Sequence, residues 1–259
     1  MLDLGIHRVV VACDATCEGA DALALAVELA ARWQVELHGL FVEDAGLLAL
    51  AELPFARELF AGAGAASGLE RTAIESQLAA FAARARQHLA AAAERRGLGW
   101  SFQVVRGAIP GGMLPFEPTD FLVLEGLSRP FAAALRIASL WPKVAQAATQ
   151  PLLLLRDNRR QPGSILALVD EATAEPILGM ATWLAETEGR KLTIAGIDDA
   201  GDRKPIGPDR LALSNMQALH HRLAHSDCRV LVMSRAVQDR ADRKLRSLIA
   251  TARQDILLV

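Results

Sequence analysis

Tyrosine is absent from this 259-residue chain, and only 5% of the residues are aromatic. Proteins that hold single-stranded nucleic acid stack its bases on aromatic rings, and there is little material for that here. A formal net charge of −2 leaves no basic footprint for a phosphate backbone either. Nucleic acid is therefore not an expected partner. Cysteine is scarce: Cys13, Cys17 and Cys228 make an odd count without scaffold spacing. That excludes a disulfide framework and suits a reducing, cytoplasmic compartment. Residues 1–7 lack the charged, apolar and small-residue succession of a leader, so no signal peptide is expected. Apolar stretches such as Leu152–Leu155 fall far short of the ~20 residues that span a bilayer.

Apolar residues are plentiful, at 52% against 22% charged, which is enough for a sizeable core. Their order is informative from the start. Val9, Val10, Val11 and Ala12 form a run that ends in Cys13 and Asp14. A polar turn follows. Then Leu23, Ala26, Val27, Ala30 and Trp33 recur at helical spacing, which predicts one apolar stripe on a helix over 20–33. A second run over 35–42 ends in Glu43 and Asp44. A strand, a crossover helix and a strand make the two strands parallel and the connection right-handed. In open α/β sheets ligands sit at the carboxyl ends of the strands, and both tips here carry carboxylates.

Residues 46–60 are apolar on most sides and include Pro54, and 62–68 are small and glycine-rich, which reads as a loop. A long helix is expected over 69–96, with Leu78, Phe81, Ala82, Ala85 and Leu89 on its inner stripe and Gly97 and Gly99 at its end. An alternating third strand follows at 100–105. Pro110, Pro115 and Pro118 exclude a long helix before the fourth strand, 121–124, which Asp120 introduces. Residues 127–149 are helical in pattern. Leu152–Leu155 is continuously apolar and reads as a fifth strand buried on both faces. Residues 157–163 are charged, polar and Pro/Gly-containing, the best linker in the chain. The expected division is 1–157 and 158–259.

After the linker the pattern restarts. The run 165–169 ends in Asp170 as the first ends in Asp14, and 192–197 ends in Asp198 and Asp199, matching Glu43 and Asp44. Strands at 230–233 and 256–259 match those at 121–124 and 152–155. No third strand is legible in this second, shorter copy.

With these residues in place the chain resembles a tandem universal stress protein. The features that carry the likeness are the strand ending in Asp14, the run from Leu37 to Asp44, the stretch from Thr119 to Gly126, and the Gln150-Pro151-Leu152 entry to the last strand. The resemblance implies an α/β fold: two tandem doubly wound parallel-sheet domains, Rossmann-like, with the second truncated. It implies dimerisation through the last strand, hence an intramolecular pseudo-dimer joined at 152–155 and 256–259, or a homodimer. Many members of that family bind ATP, and the resemblance places the residues of such a site at Asp14, Val42, Gly126, Arg129 and Ser139. The family's phosphate loop, G-x2-G-x9-G-[ST], needs glycine because backbone N–H groups must come close to phosphate oxygens. Here Gly126 supplies the first glycine. The later positions fall on Arg129, Ser139 and Leu140, and Ser139 restores the hydroxyl only after a one-residue shift. In the second copy Met233, Ser234 and Arg235 stand where the loop should begin, with no glycine after them.

Other clusters have plain readings. Cys13 and Cys17 match no redox or zinc signature and read as small residues in a reduced protein. His220, His221 and His225 lie in a helical pattern, His221 and His225 on one face with no third ligand in sight, and they read as solvated or capping histidines. Asp14 and Asp170 are either ligand groups or helix-capping carboxylates. Arg240, Arg243, Lys244 and Arg246 read as a solvated helix face. No G-x-S-x-G elbow, H-E-x-x-H or P-loop occurs, so no catalysis and no metal are expected. The expected function is a regulatory or stress-response binding module that needs no cofactor and works with a protein partner. Two alternatives stand beside it: an ATP or AMP binder using the first copy, and an adaptor for a membrane transporter or enzyme acting through residues 46–68.

Overall fold

The structure is a computed structural model. It describes residues 5–14, 20–43, 57–59, 66–68, 71–106, 116–125, 148–155, 163–169, 174–196, 227–234 and 254–259. The chain divides into two compact units, Gly5–Ala148 and Thr149–Val259.

In the first unit, strand β1 (Arg8–Asp14) leads into helix α1 (Ala20–Trp33) and strand β2 (Glu36–Glu43). The two strands are parallel, in register from Arg8↔Glu36 to Asp14↔Val42. Two short strands follow, β3 (Arg57–Leu59) and β4 (Ala66–Gly68), paired antiparallel. The glycine-rich stretch read as a loop thus ends in a strand: backbone pairing across the hairpin overrides the low strand propensity of Ala, Ser and Gly. Helix α2 (Arg71–Glu94) and strand β5 (Trp100–Arg106) come next, then β6 (Asp120–Glu125). The sheet order is β5-β2-β1-β6, and every pairing in it is parallel.

Both rows of side chains on the inner strands are buried. Val9, Val10, Leu37, Leu40, Phe121 and Leu122 are almost fully shielded, which is why these strands read as continuous apolar runs. Each such side chain stabilises the fold by ~1.5–3 kcal/mol through removal from water. Helices α1 and α2 cover one face. Trp33 meets Phe121 edge-on, with centroids 5.0 Å apart. Helix α2 comes so close that a Cβ on Gly39 would stand 2.5 Å from Leu89 Cδ1 and 2.6 Å from Phe102 Cδ2. Leu78, Ala82, Leu89 and Ala93 form its inner stripe, whereas Phe81 is 37% exposed. The expected place of Phe81 on the buried stripe is therefore corrected: the stripe is narrower than the spacing suggested, because α2 covers the edge of the sheet and not its middle.

The second unit holds β7 (Leu152–Leu155), β8 (Ser164–Val169), helix α3 (Ala174–Glu188), β9 (Leu192–Gly196), β10 (Cys228–Met233) and β11 (Asp255–Leu258). The order is β7-β11-β10-β8-β9. Strands β8 to β11 pair in parallel, while β7 runs antiparallel to β11, in register from Ile256↔Leu154 to Leu258↔Leu152. The division by contacts thus runs ahead of β7, since that strand takes this ladder with it. Among the described residues no strand falls between β9 and β10.

The two strand–helix–strand segments close alike. After α1, Gln34 adopts a left-handed φ of 56° and the Val35 N–H donates to the Ala30 carbonyl at 3.1 Å. After α3, Gly189 takes φ 62° and the Arg190 N–H donates to the Ala185 carbonyl at 2.9 Å. Both are Schellman-type closures that satisfy carbonyls at the helix end. The residues 127–149 read as helical, and the clusters at His220, His221, His225 and Arg240 to Arg246, lie outside the described residues except for 148 and 149.

Candidate functional site

Parallel pairing brings the tips of β1, β2 and β6 to one end of the first unit. Asp14 stands in register with Val42, and Ala12 is the partner of both Leu40 and Leu124. Two of the five expected site residues, Asp14 and Val42, are thereby adjacent by backbone register. Val42 is fully buried. Gly126, Arg129 and Ser139 lie outside the described residues, as do Cys17, Asp44, Asp170, Asp198 and Asp199.

The acidic tip of β2 is not an open ligand group. Glu43 is buried, and the Arg106 guanidinium at the tip of β5 donates from Nε to Glu43 Oε2 at 2.6 Å. Burial of a carboxylate is tolerated only with such a partner. The hydrogen bond to Glu43 raises the Arg106 pKa above its ordinary value, reinforced by the Glu43 and Glu75 charges. Glu75 Oε1 lies 3.8 Å from Arg106 Nη1 and accepts from Arg71 Nε at 3.2 Å. This chain of alternating charges ties the start of α2 to the strand tips. The sequence showed an acidic strand tip; that Arg106 closes it depends on β5 lying beside β2, which no local pattern reveals.

A second polar group lies at the opposite, amino end of the strands. Arg8 donates to both carboxylate oxygens of Asp120, which also accepts from the Glu117 N–H at 2.8 Å. The hydrogen bond to Asp120 raises the Arg8 pKa, against an opposing effect of burial. Beside it, His38 Nδ1 lies 2.8 Å from Ser101 Oγ, and the Ser101 hydroxyl donates to Glu36. A hydroxyl has one proton to give, so Ser101 accepts from His38, which places the imidazole proton on Nδ1. Burial lowers the His38 pKa, and the Arg8 charge lowers it further. His38 escapes sequence reasoning because a single His in an apolar strand carries no pattern. Among the described residues no group of three or more His, Cys, Asp or Glu side chains is placed to hold a metal ion. Cys228 is a buried cysteine whose thiol faces the Val230 carbonyl.

No family model and no curated protein matches this sequence. Solved structures do. A universal stress protein from Archaeoglobus fulgidus superposes with a TM-score of 0.61 at 12% identity, over 97% of this chain and 95% of that one. The fold is that of the universal stress proteins. A functionally unknown protein from Pseudomonas aeruginosa gives a TM-score of 0.61 at 14% identity, over 99% and 93% of the two chains. Another structure from that organism, described as of the universal stress protein kind, gives 0.59 at 14%, over 99% and 94%. The universal-stress-protein fold, mostly parallel with helices against the sheet, agrees with the α/β architecture that the resemblance implies. No helix among the described residues is long and apolar enough to cross a membrane.

Proposed function

We propose that this chain is a universal-stress-protein-like regulatory binding module of the cytoplasm, that it performs no catalysis, and that it holds adenine nucleotide weakly or not at all. The observation that carries this reading is the pairing of Asp14 with Val42 beside a chain that leaves β6 at Gly126 without the later glycines of a phosphate loop. In the sequence Arg129 and Ser139 stand where the family's loop has glycine, the residue that lets backbone N–H donors approach phosphate. An arginine supplies charge; it does not supply a nest of amides.

The test is the absorbance ratio at 260 and 280 nm of the purified chain, followed by thermal shift with ATP, AMP and no ligand. No co-purifying nucleotide and no shift are expected. A shift that Asp14→Ala abolishes overturns the proposal in favour of an ATP or AMP binder using the first unit.

The ladder between β7, which closes the first repeat, and β11, which closes the second, supports reading the two repeats as an intramolecular pair. The β3–β4 hairpin favours a second reading, an adaptor working through residues 46–68. A pull-down that depends on those residues, with no nucleotide response, decides for it.

A further inference from the structure

Three features of the first unit lie on β5 and on α2, the helix packed against it. The first is an open strand edge. Among the described residues β5 is the outermost strand beside β2. The Leu37 N–H donates to the Gly99 carbonyl at 3.0 Å, and successive residues of a strand turn their backbone groups to opposite sides. Gly99, Ser101, Gln103 and Val105 therefore face β2, and the N–H and C=O groups of Phe102 and Val104 face outward. Seven residues long and free of proline, β5 lacks two of the usual devices that blunt an edge.

The second feature is apolar. Val104 on β5 is 44% exposed and Phe81 on α2, the helix packed against β5, is 37% exposed; these are the large apolar side chains that stand out among the described residues. The third is charge. Residues 71–106 hold six arginines against two glutamates, in a chain whose net charge is −2. Arg84, Arg86, Arg95, Arg96 and Arg106 are all exposed. The Arg84 guanidinium lies 4.7 Å from the centre of the Phe81 ring, and that of Arg86 lies 6.0 Å from the Trp100 ring.

The geometry points to this edge as a docking surface for an acidic, extended segment of a partner protein, added to β5 as one further strand. The outward N–H and C=O groups of Phe102 and Val104 supply the ladder, and an apolar partner side chain covers Val104 and Phe81. Partner carboxylates meet Arg84 and Arg86, whose positive balance selects the charge of the segment. A second copy of this chain suits the edge poorly, because its own β5 and α2 would bring the same arginines against these.

The experiment titrates the full chain into a fluorescein-labelled peptide of alternating glutamate and valine, read by fluorescence anisotropy, with hydrogen exchange followed in parallel. Saturable binding is expected, weakened about tenfold or more when lysine replaces glutamate in the peptide. The double variant Arg84→Glu, Arg86→Glu is expected to lose binding to a similar degree with its melting temperature retained. If that variant fails to fold, Val104→Asp takes its place, with the same loss expected. Exchange of the Phe102 and Val104 amides is expected to slow on binding, a change that charge attraction alone does not produce. No binding up to about 1 mM, unchanged exchange at those two amides, or equal binding of the same peptide N-methylated at alternate amides overturns the proposal. Equal binding of a single-stranded DNA of matched charge also overturns it, and assigns the patch to polyanions in general.

Discussion

Arg8 holds Asp120 through two hydrogen bonds of 2.8 Å, Nε to Oδ1 and Nη2 to Oδ2, across 112 positions of sequence. Both residues open their strands, and the register of β1 with β6 sets them opposite each other. The carboxylate is 1% exposed. Removing one partner of such a pair strands a buried charge. Arg8→Ala is therefore expected to lower the unfolding free energy by about 3 kcal/mol, measured by urea denaturation. The paired change Arg8→Met, Asp120→Leu is expected to lose less, since it strands no buried charge and leaves only the Glu117 N–H without its acceptor. Equal losses would show that the pair matters through its shape and not its charge.

Helix α1 closes on Gln34 where α3 closes on Gly189. A side chain at positive φ costs roughly 1 kcal/mol that glycine avoids. Gln34→Gly is expected to stabilise the protein by about that amount, or roughly 2–4 °C in melting temperature. The mirror change, Gly189→Ala, is expected to destabilise it comparably. Differential scanning calorimetry of the two variants reads both signs.

At Gly39 there is no room for a methyl group under Leu89 and Phe102. Gly39→Ala is expected to cost about 1–3 kcal/mol through overpacking. Adding Leu89→Ala opens space for the new methyl, so the double variant is expected to lose less than the two single losses summed. Strict additivity in chemical denaturation would contradict the close approach of α2 to β2.

His38 makes stability depend on pH. It faces Ser101 on β5, Glu36 on its own strand, Arg8 on β1 and Asp120 on β6. Its pKa in the folded protein lies below the ordinary 6.5. Below pH 6.5 the unfolded chain takes up a proton that the folded one refuses, so stability falls as pH drops toward the folded pKa and is unaffected above 6.5. The gap in unfolding free energy between the wild type and His38→Gln is expected to narrow as pH falls from neutrality to 5. A gap independent of pH would place His38 in ordinary contact with its surroundings.

The periodic parts of the fold were legible in the residues. The apolar runs at Val9 to Ala12, Phe121 to Leu124 and Leu152 to Leu155 mark strands because a strand buried on both faces must be apolar throughout. The helix over 20–33 was legible for a similar reason: spacing of 3.6 residues is a local property. The expected site was legible only in part. The missing glycines after Gly126 can be counted directly, whereas the adjacency of Asp14 and Val42 depends on strand register.

What the sequence determined by itself is therefore the alphabet of elements: the apolar runs that become strands and the helical spacing over 20–33. These rest on neighbours in the chain, whose chemistry needs no third dimension. Tertiary structure alone decided the rest: that β7 runs antiparallel to β11, that Arg106 seals Glu43, that Arg8 finds Asp120, and that β5 is the outermost strand beside β2 among the described residues. Each of these joins residues far apart in sequence, and the energy of a hydrogen bond or ion pair depends on the final distance between groups, which only packing sets.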